Sequence, residues 1–148
     1  HAEWMTQRHW LDCADQADTV EPRFAALLRH HWAEEAQHGR LDSNMVAELG
    51  ATLSGSEVLD CVDAYLRIVL LLDGALRRQA ELDLDSFERA VRRRLTPAGR
   101  EQFLERQLAV NRQVYLISGM THPRVLASLE ALHPYARDRV EAAAASLV

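Results

Sequence analysis

Phe24, Leu28, His31, Glu35, His38, Asp42, Met45 and Leu49 follow one another at alternating steps of four and three residues. An α-helix gathers that spacing into one stripe, because a turn takes 3.6 residues. The stripe reads as a heptad-like core seam, apolar at both ends. Its middle consists of four ionisable side chains. Burying an unpaired charge costs several kcal/mol, so something must offset these four. A bound cation is the simplest candidate, and imidazole with carboxylate suits iron, manganese or zinc.

The rest of the chain is punctuated for helices. A first helix is expected over about His1 to Ala17. The Asp18-Thr19-Val20-Glu21-Pro22 stretch breaks it and caps a second, from about Glu21 to Leu49. Gly50 to Gly55 reads as a loop. Ser54 and Glu57 form a capping-box pattern for a long helix to about Ala80. The apolar run at Leu66 to Leu72 makes that helix the expected centre of the core. Asp85 and Glu88 open a short helix ending near Arg94. Thr96 with Pro97 starts another, which stops at Gly119. Thr121 opens a short helix ending at His133, and the last runs from Pro134. No strand pattern, internal repeat or linker interrupts this series. The expectation is an all-α single domain over residues 1–148, with a helical hairpin over 1–49 and the remaining helices over 54–148.

Glu35 and His38 stand three apart, so both project from one helix face toward one ion. This is the Glu-x-x-His element of two-metal sites in helix bundles. The first helix adds a carboxylate. With the hairpin turn centred near Thr19, Glu3 lies sixteen residues before it and Glu35 sixteen after. Both helices rise about 1.5 Å per residue, so the two carboxylates are expected to come level.

Glu3 together with Glu34-Glu35-Ala36-Gln37-His38 resembles the ferritin-like di-iron carboxylate superfamily. That group includes bacterioferritins, rubrerythrins, ribonucleotide reductase small subunits, bacterial multicomponent monooxygenases and di-iron N-oxygenases. The resemblance covers about the first 45 residues. It implies a ferritin-like bundle that binds iron, or iron with manganese, and activates dioxygen as an oxidase or oxygenase on a small-molecule substrate. It implies Glu3, Glu35 and His38 as metal ligands. Glu34 inherits the place of an acidic residue that orients a ligand histidine, and His31 that of an upstream histidine. Asp42, on the same stripe, is expected to accept from an imidazole.

A complete site needs a second bridging Glu and a second Glu-x-x-His. Glu130 and His133 supply the letters, but at a helix end and off its apolar stripe. Two explanations follow. The site is completed by a second copy of the chain, as in encapsulated ferritins, or the sequence lacks upstream helices of a longer protein. Two further alternatives stay open. One is an iron-handling ferritin-like protein. The other is a metal-free interaction domain whose polar seam specifies a helix partner.

The remaining features exclude more than they assign. A net charge of −5 argues against a general nucleic-acid binder. No apolar run is long enough for a membrane span. Cys13 and Cys61 have no metal-type spacing and read as free thiols of a cytoplasmic protein. Asp73 follows the apolar run and reads as a satisfied core or surface aspartate.

Overall fold

The computed structural model describes residues 1–13 and 20–148, without the side chains of residues 11–13. Its elements are α1 (Ala2–Cys13), α2 (Pro22–Gly50), α3 (Gly55–Val91), α4 (Pro97–Arg112), a π-helical turn (Gln113–Ile117), α5 (Ser118–Met120), α6 (Pro123–Leu132) and α7 (Pro134–Ala145). The described residues contain no strand, so the chain is all-α as the composition implied. The expected end of the first helix near Ala17, and its break at Asp18 and Thr19, lie outside the described residues.

Helix starts follow local chemistry. All four prolines occupy the first helical position, where a missing N–H costs nothing. The preceding side chain then accepts a free backbone N–H. Glu21 accepts from Phe24 at 2.9 Å and Thr96 from Gly99 at 3.1 Å. His122 accepts from Arg124 and His133 from Tyr135, both at 3.2 Å. At α3, Ser54 and Glu57 form the anticipated reciprocal capping box.

Three expectations about the middle of the chain are corrected. α3 does not stop near Ala80; it continues unbroken for 37 residues to Val91. Residues 80–85 hold no glycine or proline, Gln79 donates to Asp83 at 2.7 Å, and Ala80 and Leu84 are fully buried. Arg92, with φ at 53°, then ends the helix in the left-handed conformation. The apolar run in α3 is not the most buried segment. Val69 is buried, but Ile68, Leu70, Leu71 and Leu72 face outward. The helix from Pro97 also does not reach Gly119 in regular α geometry, because residues 113–117 form a π turn. Leu116 within the π turn and Met120 just after it are both fully buried.

The core lies between α3, the π turn with α5, and α7. Val62, Val69, Leu116, Met120, Ala136, Val140, Ala144 and Leu147 form it. α1 is laid between α2 and the π turn with α5, while α2 also touches α6. Asp73 sits inside this frame. Arg112 clamps it with two hydrogen bonds, Nε to Oδ1 at 2.6 Å and Nη2 to Oδ2 at 3.0 Å. Arg77 adds a third at 3.1 Å, and Arg112 also donates to the Leu147 carbonyl. The clamp joins α3, α4 and the C-terminal end of α7.

Cys61 is a free, exposed thiol on α3, whereas the Cys13 side chain lies outside the description. Cys61 is therefore expected to react with a thiol reagent in the native protein without prior reduction. A Cys61→Ser chain that loses no native-state reactive thiol would contradict this placement.

Candidate metal centre

The contact between α1 and α2 is made by small residues. Gly39 is buried against the Trp4 indole, and a Cβ there would lie 3.1 Å from the ring. Trp4 Nε1 donates to Ser43 Oγ at 3.2 Å, and Ser43 Oγ donates to the Gly39 carbonyl at 2.7 Å. One turn down α1, the buried Gln7 donates to the Trp32 carbonyl at 2.7 Å. Trp10 then meets Trp32 with ring centroids 6.2 Å apart. The contact face of α2 is thus Trp32, Ala36, Gly39 and Ser43. It lies about 100° round the helix from the stripe read as the core seam.

That stripe is corrected accordingly. Phe24, Leu28, His31, His38, Asp42, Met45 and Leu49 are exposed, and Glu35 alone is half-buried at the edge of the contact. On α1 the facing residues are Glu3, Gln7 and Trp10.

Glu3 and Glu35 meet at the level that the hairpin arithmetic required. Each of Glu3, Glu35 and His38 offers one ligand atom, and these atoms lie within 4.8 Å of one another. His38 Nδ1 is 3.2 Å from Glu35 Oε2 and 4.0 Å from Glu3 Oε2. His31 Nδ1 reaches the other Glu35 oxygen at 3.3 Å. Glu35 is therefore the hub, held by two imidazoles of its own helix.

The two carboxyls are shifted in opposite directions by their contact. A hydrogen bond to Glu35 raises the Glu3 carboxyl above its ordinary range, and desolvation and the Glu35 charge add to this. The same hydrogen bond holds Glu35 below its ordinary range, aided by His38. Its bond to Glu35 raises the His38 imidazole.

The remaining candidate residues lie elsewhere. Glu34 is exposed beside His31, and reaches His38 only through its charge. Asp42 accepts from no imidazole in the described contacts. It lines a cavity of about 190 Å³ with Trp4, Val46, Tyr65, Val125 and Leu129. Glu130 is paired with Arg137 at 2.9 Å, and His133 caps α7, so neither joins the trio. A helix-end histidine followed by proline is well placed to cap the next helix, and that role uses His133 Nδ1. His122 likewise caps α6 and stacks on Trp4 at 5.0 Å.

The sequence reading missed Gly39, whose closeness to Trp4 sets the distance between the two helices. A glycine carries no hydrophobic signal. Comparison with protein-family models, with curated proteins and with solved structures returned no match. Among the described residues, no helix is long and apolar enough to cross a membrane.

Proposed function

We propose that Glu3, Glu35 and His38 bind a divalent transition metal, iron or manganese, and that the chain contributes half of a di-iron-type carboxylate centre. The observation that carries this reading is the convergence of three ligand atoms from two helices within 4.8 Å. The donor set fits: two carboxylate oxygens and one imidazole nitrogen suit iron or manganese. The closeness of the Glu3 and Glu35 carboxyls supports it, since a cation between them would relieve their repulsion. Glu130 and His133 have other partners, so the remaining ligands come from outside this trio, and a second copy of the chain is the source proposed.

In this reading Glu3 bridges across from α1, while Glu35 and His38 chelate from α2. His31, 3.3 Å from the other Glu35 oxygen, adds its charge beside the carboxylate when protonated. The bound metal would supply dioxygen chemistry, as an oxidase or oxygenase. The mostly apolar walls of the cavity beside Asp42 favour a small, largely apolar substrate.

The test is metal content by mass spectrometry after anaerobic loading with Fe(II) or Mn(II). Wild type is expected to retain metal through desalting, and His38→Ala and Glu35→Ala to lose it. Loss of one ligand is expected to weaken binding by more than the ten- to about a hundredfold that loss of an outer hydrogen-bond partner brings. Wild type that emerges metal-free after loading would overturn the reading and favour a metal-free polar seam.

A further inference from the structure

α2 is 29 residues long, and Gly39 is its one buried residue among those described. Its large apolar side chains stay outside: Phe24 is 51% exposed, Leu28 38%, Met45 51% and Leu49 63%, with exposed Leu27, Leu41 and Val46 flanking them. Scattered exposed apolar residues are ordinary, but these seven form one broad face, with the first four on a single stripe.

The stripe is also symmetric in its chemistry. Each member lies as far before the midpoint between Ala36 and Gln37 as a counterpart lies after it. Phe24 thereby corresponds to Leu49, and Leu28 to Met45. His31 corresponds to Asp42, and Glu35 to His38. The outer pairs are apolar with apolar, and the inner pairs are imidazole with carboxylate.

We propose that a second copy of this chain docks on α2, antiparallel, about a twofold axis at the level of Ala36 and Gln37. In an antiparallel helix pair the alternating positions of one helix face their counterparts on the other. A twofold axis repeats every contact, so each pairing occurs twice. Leu28 then meets Met45 of the partner subunit, and His31 meets Asp42 of the partner subunit. Charge complementarity selects this occupant. A parallel pair would set Glu35 against its own copy, and an unrelated apolar helix would cover four ionisable side chains without pairing them. Glu35 already pairs with His38 of its own chain and lies 3.3 Å from His31 Nδ1, and a carboxylate has lone pairs for a further donor.

The interface does not depend on the metal reading, because apolar ends and imidazole–carboxylate pairs form without an ion. Its test is therefore run in EDTA, by sedimentation equilibrium of the full chain. Wild type is expected at twice the chain mass, and Leu28→Glu or Met45→Arg alone at the chain mass. The double variant Leu28→Glu/Met45→Arg is expected to return to the dimer, since the axis sets each new Glu against a new Arg. Wild type at the chain mass, or a double variant that remains monomeric with its helical circular dichroism intact, would overturn the proposal. Leu28→Cys/Met45→Cys, in a chain with Cys13→Ser and Cys61→Ser, gives a second reading. A disulfide-linked dimer on mild oxidation is expected, and its absence would count against the register. A dimer that takes up no metal would sink the metal reading alone. Metal retained by a strictly monomeric wild type would sink the interface, and with it the completion of the centre by a second copy, but not Glu3, Glu35 and His38 as ligands.

Discussion

Asp73→Ala is expected to lower the unfolding free energy by about 3–5 kcal/mol, the usual loss when one partner of a buried ion pair is removed. Asp73 is 8% exposed and receives three hydrogen bonds from two arginines. Its removal leaves Arg112 largely desolvated with only the Leu147 carbonyl to donate to. Natural domains hold about 5–15 kcal/mol in all, so the loss is a large share of the total. For a chain of this size it corresponds to a fall in Tm of roughly 10 °C. Replacing both partners with apolar residues, Asp73→Leu with Arg112→Met, should recover most of it, because no charge is then stranded. Urea unfolding followed by circular dichroism measures all three. A single-variant loss under about 1 kcal/mol, the ceiling for exposed pairs, would place the clamp among surface ion pairs.

The same clamp sets an acid limb. The Arg112 hydrogen bonds hold the Asp73 carboxyl below its ordinary range, with Arg77 assisting. A depressed folded-state value means the stabilisation is complete above the ordinary aspartate range. It is lost as pH falls through the depressed value. Asp73→Ala should therefore flatten the decline in stability at acid pH relative to wild type.

The helix boundaries were legible where a cap or a proline marks them, as at Ser54 with Glu57, Pro97 and Pro134. These signals act within one turn, so the local sequence contains the whole cause. The continuity of α3 was not legible, because Asp85 and Glu88 read as a helix start until the burial of Ala80 and Leu84 is known. Nor was the π turn, whose extra residue serves the packing of Leu116 and Met120 against α3 and α7. The meeting of Glu3 with Glu35 could be read from helix rise alone. The inner face of α2 could not. A binary apolar pattern selects the stripe with the most hydrophobic bulk, Phe24 to Leu49. The chain instead packs the face of Trp32, Ala36, Gly39 and Ser43, because the last three are small and let α1 approach closely. The bulky stripe is left for a partner, as argued above.

That close approach makes Gly39 the residue on which the Glu3–Glu35–His38 trio most depends without contacting it. A Cβ at this position would stand 3.1–3.3 Å from three atoms of the Trp4 ring. Trp4 cannot simply turn aside, since its Nε1 is bonded to Ser43 and its ring is stacked on His122. Gly39→Ala therefore asks for a shift of a few tenths of an ångström, while Gly39→Val adds two methyl groups where no room exists. Overpacking of this kind costs about 1–3 kcal/mol, and the softest response is for α1 to lift from α2. Glu3 is the neighbour of Trp4 and the only member of the trio on α1, so lifting α1 separates Glu3 from a Glu35–His38 pair that stays intact on its own helix. Gly39→Val is accordingly expected to lower Fe(II) or Mn(II) affinity at least about tenfold, the scale set by misplaced outer-shell groups. It should do so while His38 and Glu35 keep their contact, and Trp4→Ala, which removes the obstructing ring, should restore part of the loss in the double variant. Metal titration of the single and double variants, read beside their circular dichroism, tests the chain of cause. Unchanged affinity in Gly39→Val would mean that the trio does not need α1 at this distance, and that Glu3 is no ligand.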